Sequence, residues 1–143
     1  MRKKKEILCI IHARGGSKGI PDKNIIKIQG KPLLVYTLEQ ALATKSITRI
    51  VVSTDDSQIA QIASDYKVEV ILRPDYLSND QASSESAIIH VVDELEKKED
   101  YIPEIIVFLQ ATSPIRQAND IEYAIAKLVK EKADSLFSAC RLH

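Results

Sequence analysis

The eleven residues from Arg14 to Asn24 read Arg-Gly-Gly-Ser-Lys-Gly-Ile-Pro-Asp-Lys-Asn and combine three glycines with three cations. Glycine reaches backbone conformations that let successive amides point at one anion, while Arg14, Lys18 and Lys23 bring positive charge to the same place. The matching chemistry is the holding of a polyphosphate. One ammonium about 4 Å from a phosphate oxygen contributes on the order of 4 kcal/mol gross at intermediate dielectric, before desolvation. Three cations are enough for a triphosphate. The loop is neither of the two familiar phosphate motifs, because no Gly-Lys-Ser/Thr closes it and the order G-x-G-x-x-G is absent. The next helix begins near Leu33, too far on for its dipole to be assigned to the phosphates. The plainer alternative is a surface loop that carries its lysines incidentally.

Other reactive side chains are weaker candidates. Asp55 stands three residues before Gln58, a spacing that reads as a helix cap ahead of a metal ligand. Asp55 and Asp56 are adjacent, so they do not make an alternating D-x-D pair, and no metal ligand is assigned. His12 falls in a predicted strand and reads as a satisfied core or edge histidine. His90 lies beside the apolar stripe of its helix and His143 is terminal, so no histidine is given a catalytic role.

The elements that must position these residues are legible from periodicity. Short β-branched runs predict strands over Ile7 to Ala13, Arg49 to Ser53, Val68 to Leu72, Ile105 to Gln110 and Ser135 to Ala139. Between them, apolar residues recur at helical spacing on Leu34, Leu38 and Ala41, on Ile59, Ile62 and Ala63, on Ile88, Val91 and Leu95, and on Ile121, Ile125 and Leu128. Asp55 and Asn119 are placed as N-caps, and Pro32 in a first helical turn. The run Glu94 to Asp100 reads as the solvated end of a helix. Strands joined through helices pair in parallel with right-handed crossovers. The expected fold is therefore α/β, a doubly wound and mainly parallel sheet with helices on both faces, its ligand site at the carboxyl ends of the strands. Two connections, Arg14 to Lys31 and Arg73 to Ala82, are longer than such links usually are, and long loops in compact α/β folds are commonly functional.

Composition narrows the partners. The 143 residues carry 20 Lys+Arg against 20 Asp+Glu, with 45% apolar residues and only four Gly and five Pro, which fits one domain over 1–143 with a real core. The balanced charge supplies no electrostatic footprint for nucleic acid or an acidic membrane. Cys9 and Cys140 lie in apolar runs far apart, the pattern of buried thiols in a reducing compartment, and the expected setting is cytoplasmic. The basic start followed by Ile7 to Ile11 is too short an apolar run for a signal peptide, and no stretch approaches a membrane span.

Taken together, Ala13 to Pro21 with Lys23-Asn24 strongly resemble the N-terminal signature of the acylneuraminate cytidylyltransferases, also called CMP-sialic acid synthetases. The similarity continues in order through Val52-Ser53-Thr54-Asp55, Leu72-Arg73-Pro74, Asp80-Gln81-Ala82-Ser83-Ser84 and Leu109-Gln110-Ala111-Thr112-Ser113-Pro114. The resemblance implies a Rossmann-like nucleotidyltransferase that moves CMP from CTP to a nonulosonic, sialic-acid-like sugar acid, with pyrophosphate leaving. The anomeric hydroxyl would attack the α-phosphate, and magnesium would screen the phosphates. Such chemistry needs alignment and charge stabilisation more than covalent help.

Carried over by residue, the resemblance implies that Arg14, Ser17, Lys18 and Lys23 meet the CTP phosphates, with Lys23 and Arg14 stabilising charge at the reacting phosphorus. Asn24 would hold the nucleotide. Arg73 and the turn at Ala82, Ser83 and Ser84 would face cytosine and ribose, and Gln110 would reach the sugar acid. Without the resemblance, Arg73 reads equally as an exposed charge at a strand end, and Ser83 and Ser84 as caps of the following helix. Many members of the family carry proline at the position of His12. The family also runs beyond the point matching His143, so the metal carboxylates and the element that pairs subunits in a homodimer are expected past it. Little or no transfer activity is accordingly expected of these 143 residues alone.

Three alternatives accompany this reading. A 3-deoxy-manno-octulosonate cytidylyltransferase would have a first loop resembling A-R-Y-x-S-T-R-L-P, unlike the one here. A nucleotide-binding remnant without turnover would bind CTP and form no product. A Rossmann oxidoreductase would need a glycine pattern that is absent.

Overall fold

The computed structural model describes residues 3–16, 19–79 and 81–141. In chain order the elements are strand β1 (Ile7–His12), a 3-10 turn (Lys23–Ile25), β2 (Lys27–Ile28), β3 (Lys31–Pro32) and helix α1 (Leu33–Ala43). There follow β4 (Arg49–Thr54), α2 (Ser57–Asp65), β5 (Glu69–Leu72), a second 3-10 turn (Asp75–Leu77), α3 (Ser84–Glu99), β6 (Ile105–Gln110) and α4 (Asp120–Glu131). The main sheet has the order β5-β4-β1-β6. Every pairing in it is parallel, with Ile10 opposite both Val51 and Phe108 and His12 opposite both Ser53 and Gln110.

The register explains the two-layered core. β1 is central and Ile7 to Ile11 are all buried, so alternate residues supply opposite faces. Cys9 and Ile11 meet Leu34 and Leu38 of α1, Ile59 and Ala63 of α2, and Ile121 and Ile125 of α4. Leu8 and Ile10, with Val51 and Ile71, meet Val91 and Leu95 of α3 on the other face. The doubly wound, parallel sheet with helices on both faces is the architecture that the periodicity predicts.

Several local expectations change. The predicted strand over Ser135 to Ala139 is absent: residues 132–141 are exposed and without regular structure, and Phe137 is 87% exposed. A β-branched pattern makes a strand only where a neighbour accepts its hydrogen bonds, and β6 pairs with β1 alone. The long connection from Arg14 to Lys31 contains the 3-10 turn and the β2–β3 hairpin, whose central residues Gln29 and Gly30 both have positive φ (52° and 79°), as a mirror-image turn requires.

The cap of α2 is Asp56 in place of Asp55, its carboxylate accepting from the amides of Gln58 at 2.8 Å and Ile59 at 3.0 Å. Asn119 does precede α4, but at φ 70° its side chain caps nothing. Asp120 instead accepts from the Gln117 amide at 2.8 Å. Pro32 precedes the first residue of α1, standing at the N-cap outside the first turn. Of the two thiols Cys9 is buried, which pushes its pKa up to about 12, but Cys140 is exposed. Among the described residues no helix is long and apolar enough to cross a membrane.

Candidate functional site

The carboxyl ends of β5, β4, β1 and β6 open on one edge of the sheet, and the two long connections leave from there. The backbone stays tied for a residue beyond each strand: Ala13 N–H donates to the Ser53 carbonyl at 3.1 Å, and Arg73 N–H to the Thr54 carbonyl at 2.8 Å. The roots of both loops are thus extensions of the sheet.

The first loop is pinned at two points. Asn24, only 4% exposed, donates from Nδ2 to the carbonyl of Arg14 at 2.8 Å, closing the chain back on its own start. Gly15 N–H donates to Oδ1 of Asp55 at 3.0 Å. A Cβ on Gly15 would stand 2.5 Å from an Asp56 carboxylate oxygen and 2.8 Å from its Cβ, so no larger residue fits unless α2 moves. Gly15 thus has a packing role against the start of α2. The Gly15 amide serves Asp55 and is thereby taken from the amides available to an anion. Lys23 starts the 3-10 turn and is half-buried, with no ion pair to another described residue. Arg14 is half-buried as well. Ser17 and Lys18 lie outside the described residues, as does Asp80.

Arg73 is the unexpected member. Its residue exposure is 5%, which excludes the ordinary exposed strand-end charge. Among the described residues its guanidinium has two long contacts, Nη2 to the Ser53 carbonyl at 3.4 Å and Nη1 to the Leu77 carbonyl at 3.5 Å, while Nε has no partner. Burial lowers its pKa, Asp55 opposes that shift, and Arg14 reinforces it. Burial also holds His12 down at about 4, aided by Arg73 and Arg14 against Asp55. Arg14, Asp55, His12 and Arg73 thus form one electrostatic neighbourhood spanning three strand ends. His12 is neutral at pH 7, its Nδ1 buried without a partner and its ring 6.0 Å from that of Phe108, so it is not the satisfied histidine expected.

The second loop ends as the cap reading anticipates. Ser83 accepts from the Ser86 amide at 3.1 Å, and Ser84 opens α3. Ala82 N–H is used internally, donating to the Asn79 carbonyl at 3.2 Å, with Gln81 N–H donating to Asn79 Oδ1. Arg73 and Ser86 line an open groove of about 720 Å³ with Tyr76, Leu77 and His90.

Gln110 closes β6 and is exposed, three strand spacings from β5. At about 4.8 Å each these give about 14 Å between the Arg73 and Gln110 ends of the site. A further residue, missed from sequence, fixes the loop after Gln110. Arg116 donates to Gln40 Oε1 at 2.6 Å and to the Gln110 carbonyl at 3.4 Å, while Gln40 donates to the Pro114 carbonyl at 2.8 Å. The signal was available in Pro114-Ile115-Arg116, a cation directly after the motif. Asp55 was likewise read as a cap, when its work is to hold Gly15.

Among the described residues no group of three or more His, Cys, Asp or Glu side chains is placed to hold a metal ion. Asp55 and Asp56 are occupied by Gly15 and by the α2 amides. These residues do not make a magnesium site by themselves.

A pseudaminic acid cytidylyltransferase from Campylobacter jejuni is 39% identical over 133 residues, covering 92% of this chain and 57% of that protein. An N-acylneuraminate cytidylyltransferase from Escherichia coli O18:K1:H7 is 41% identical over 120 residues, 84% of this chain and 27% of that one. Among solved structures, a CMP:2-keto-3-deoxy-manno-octonic acid synthetase complexed with CTP superposes with TM-score 0.74 at 26% identity, covering 90% of this chain and 49% of that one. The chain therefore spans about half or less of the length of these relatives. The family described as cytidylyltransferase matches residues 8–141, which takes in every strand end and both pinned loops, and to that family the chain belongs.

Proposed function

We propose that this chain is the nucleotide-binding unit, over residues 1–143, of an enzyme that transfers CMP from CTP to a nonulosonic sugar acid. The sugar's anomeric oxygen forms a bond to the α-phosphorus, the bond from that phosphorus to the bridging oxygen breaks, pyrophosphate leaves, and the hydroxyl proton passes to solvent. Arg14 and Lys23 stabilise charge on the phosphates and Asn24 fixes the loop that presents them. Lys18 and Ser17 join them in this reading. Arg73, with Ala82 and Ser84, faces cytosine and ribose, and Gln110 faces the sugar acid. The distance of about 14 Å between the two ends suits a nucleotide laid across the strand ends, base at β5 and reacting phosphate toward β6.

The observation that carries the reading is Arg73: a guanidinium kept almost wholly from solvent with two long carbonyl contacts among the described residues has donors to spare for a ligand's carbonyl oxygen. The choice of a nonulosonic acid rests on the identity with the pseudaminic and acylneuraminate enzymes and on the first-loop sequence. Magnesium is proposed to enter with the phosphates, which supply most of its ligands in nucleotide sites. A cytoplasmic setting and pairing into a homodimer belong to the same proposal, the latter checkable by sedimentation.

Calorimetry with CTP, followed by a product assay with magnesium and pseudaminic, neuraminic, legionaminic and 3-deoxy-manno-octulosonic acids, tests the proposal. CTP binding in the micromolar-to-millimolar range usual for enzyme substrates is expected. A CMP-sugar product names the acid, binding without product is the outcome expected of these 143 residues alone and leaves turnover to the longer enzyme, and no binding overturns the proposal and the nonturnover alternative together. Where product forms, Lys23→Ala lowers turnover about 100-fold with an unchanged melting temperature.

A further inference from the structure

Among the described residues five side-chain polar atoms are buried without a hydrogen-bond partner: His12 Nδ1, Asn24 Oδ1, Ser53 Oγ, Arg73 Nε and His90 Nδ1. Three of them share one face of the sheet. His12 and Ser53 are register partners on β1 and β4, and Ser53 is the register partner of Ile71, two residues before Arg73. Side chains two apart on a strand point the same way, so His12, Ser53 and Arg73 extend the α3 face that begins with Leu8, Ile10, Val51 and Ile71. They occupy the carboxyl ends of three adjacent strands, with Ser53 in the middle.

Their hydrogen-bonding chemistry is complementary. The guanidinium Nε–H can only donate, the serine hydroxyl does both, and the Nδ1 of a neutral imidazole accepts when the proton is on Nε2. His12 is held neutral at pH 7 by its burial and by the two neighbouring arginines, with Asp55 the opposing charge. Neighbouring strands lie about 4.8 Å apart, a span that one water at about 2.8 Å from each partner bridges, and buried waters typically serve about three otherwise unpaired polar groups. Arg73 also needs a third tether. Its two contacts, both long, are on the Nη atoms, which leaves the plane of the guanidinium poorly fixed.

We propose that His12 is a positioning residue: its Nδ1, the Ser53 hydroxyl and the Arg73 Nε–H converge on one buried water, and this joint sets the plane in which Arg73 meets its ligand. The water accepts from Arg73 and donates to His12, and its remaining hydrogen or lone pair serves Ser53. The last clause rests on the nucleotide reading given above, whereas the joint itself does not. His12 therefore has a role in the site without touching the reacting atoms, and its ring packs at a tilt of 55° to that of Phe108.

Nuclear magnetic resonance on the ligand-free chain tests the joint directly. The Arg73 Nε–H signal, assigned by its loss in Arg73→Lys, exchanges slowly with solvent, and the His12 nitrogen shifts report the Nε2–H tautomer. His12→Phe keeps the ring and removes the acceptor, and Ser53→Ala removes the middle partner. Each speeds that exchange by about tenfold or more, while His12→Asn, which places an amide oxygen near the Nδ1 position, restores slow exchange. An unchanged Arg73 exchange rate in both variants, or a proton on Nδ1 in the unsubstituted chain, overturns the proposal. The tautomer measurement decides the matter if the variants fail to fold. In a parallel CTP titration, His12→Phe and Ser53→Ala each weaken binding about tenfold, and the double variant is no weaker than the worse single by more than about twofold. Full additivity of the two losses counts against a shared joint. If the unsubstituted chain does not bind CTP, the nucleotide reading falls and the exchange rates still judge the joint.

Discussion

Arg49 and Arg73 stand at opposite ends of the same parallel sheet, and the fold treats them in opposite ways. Arg49 opens β4 and is gripped on every side. Its Nε and Nη2 donate to Glu69, each at 2.8 Å, its Nη1 and Nη2 donate to Glu99 at 2.8 and 3.0 Å, and its guanidinium lies 4.7 Å from the centre of the Tyr101 ring. The hydrogen bonds it donates to both glutamates raise its pKa. Arg73 follows β5 and is more deeply buried, yet no carboxylate bonds to it and burial lowers its pKa. Two-pronged carboxylate pairing is what a guanidinium takes when the aim is stability. A buried one denied that pairing costs the fold and keeps its donors open, as expected of a site that must accept a ligand.

The contrast is broken most forcefully at Arg73. Arg73→Ala weakens CTP binding by on the order of 100-fold, the effect of losing charge-assisted hydrogen bonds. It leaves the melting temperature unchanged or raised, because an underbonded buried charge is removed. Unchanged CTP affinity in calorimetry would take Arg73 out of the base site. Arg49→Ala gives the reverse pattern, with CTP affinity intact and stability down by about 1–2 kcal/mol, modest because the two glutamates are partly solvated. Chemical denaturation measures it. A loss confined to CTP binding would show that the two ends are not separately built.

Acid titration of the melting temperature gives the smallest effect and separates the ends by window. Folding lowers the His12 pKa from 6.5 to about 4. The stability linked to neutral His12 is therefore complete above about 6.5 and lost as pH falls toward 4, where the unfolded chain binds the extra proton. Glu99 is also held below its ordinary value of 4.5 by its bond to Arg49. Its contribution is complete above 4.5 and is lost only at lower pH. The site end thus loosens first, and His12→Phe flattens the upper window alone.

What sequence could and could not reveal divides along the same line. The sheet was legible because burial of β1 and β4 imposes a pattern that needs no knowledge of partners. The segment Ser135 to Ala139 has that pattern and remains unpaired, since pairing is a property of neighbours. The α2 cap slipped by one residue because Asp55 and Asp56 are chemically alike, and only the close approach of Gly15 separates their tasks. At the site, residue types were legible from their motifs. The depth of Arg73 and the orphaned atoms around it were not, because they depend on three strands meeting in register.

The hydrogen bond from Asn24 to the Arg14 carbonyl joins residues ten apart and makes the intervening chain a closed ring. Under the proposed nucleotide reading, a loop closed at its two ends loses less conformational freedom on taking up a phosphate tail than an open tether would, so less of the binding energy is dissipated in ordering it. Severing this single amide contact, far smaller than any of the charges it serves, would convert a preset clasp into a trailing strap.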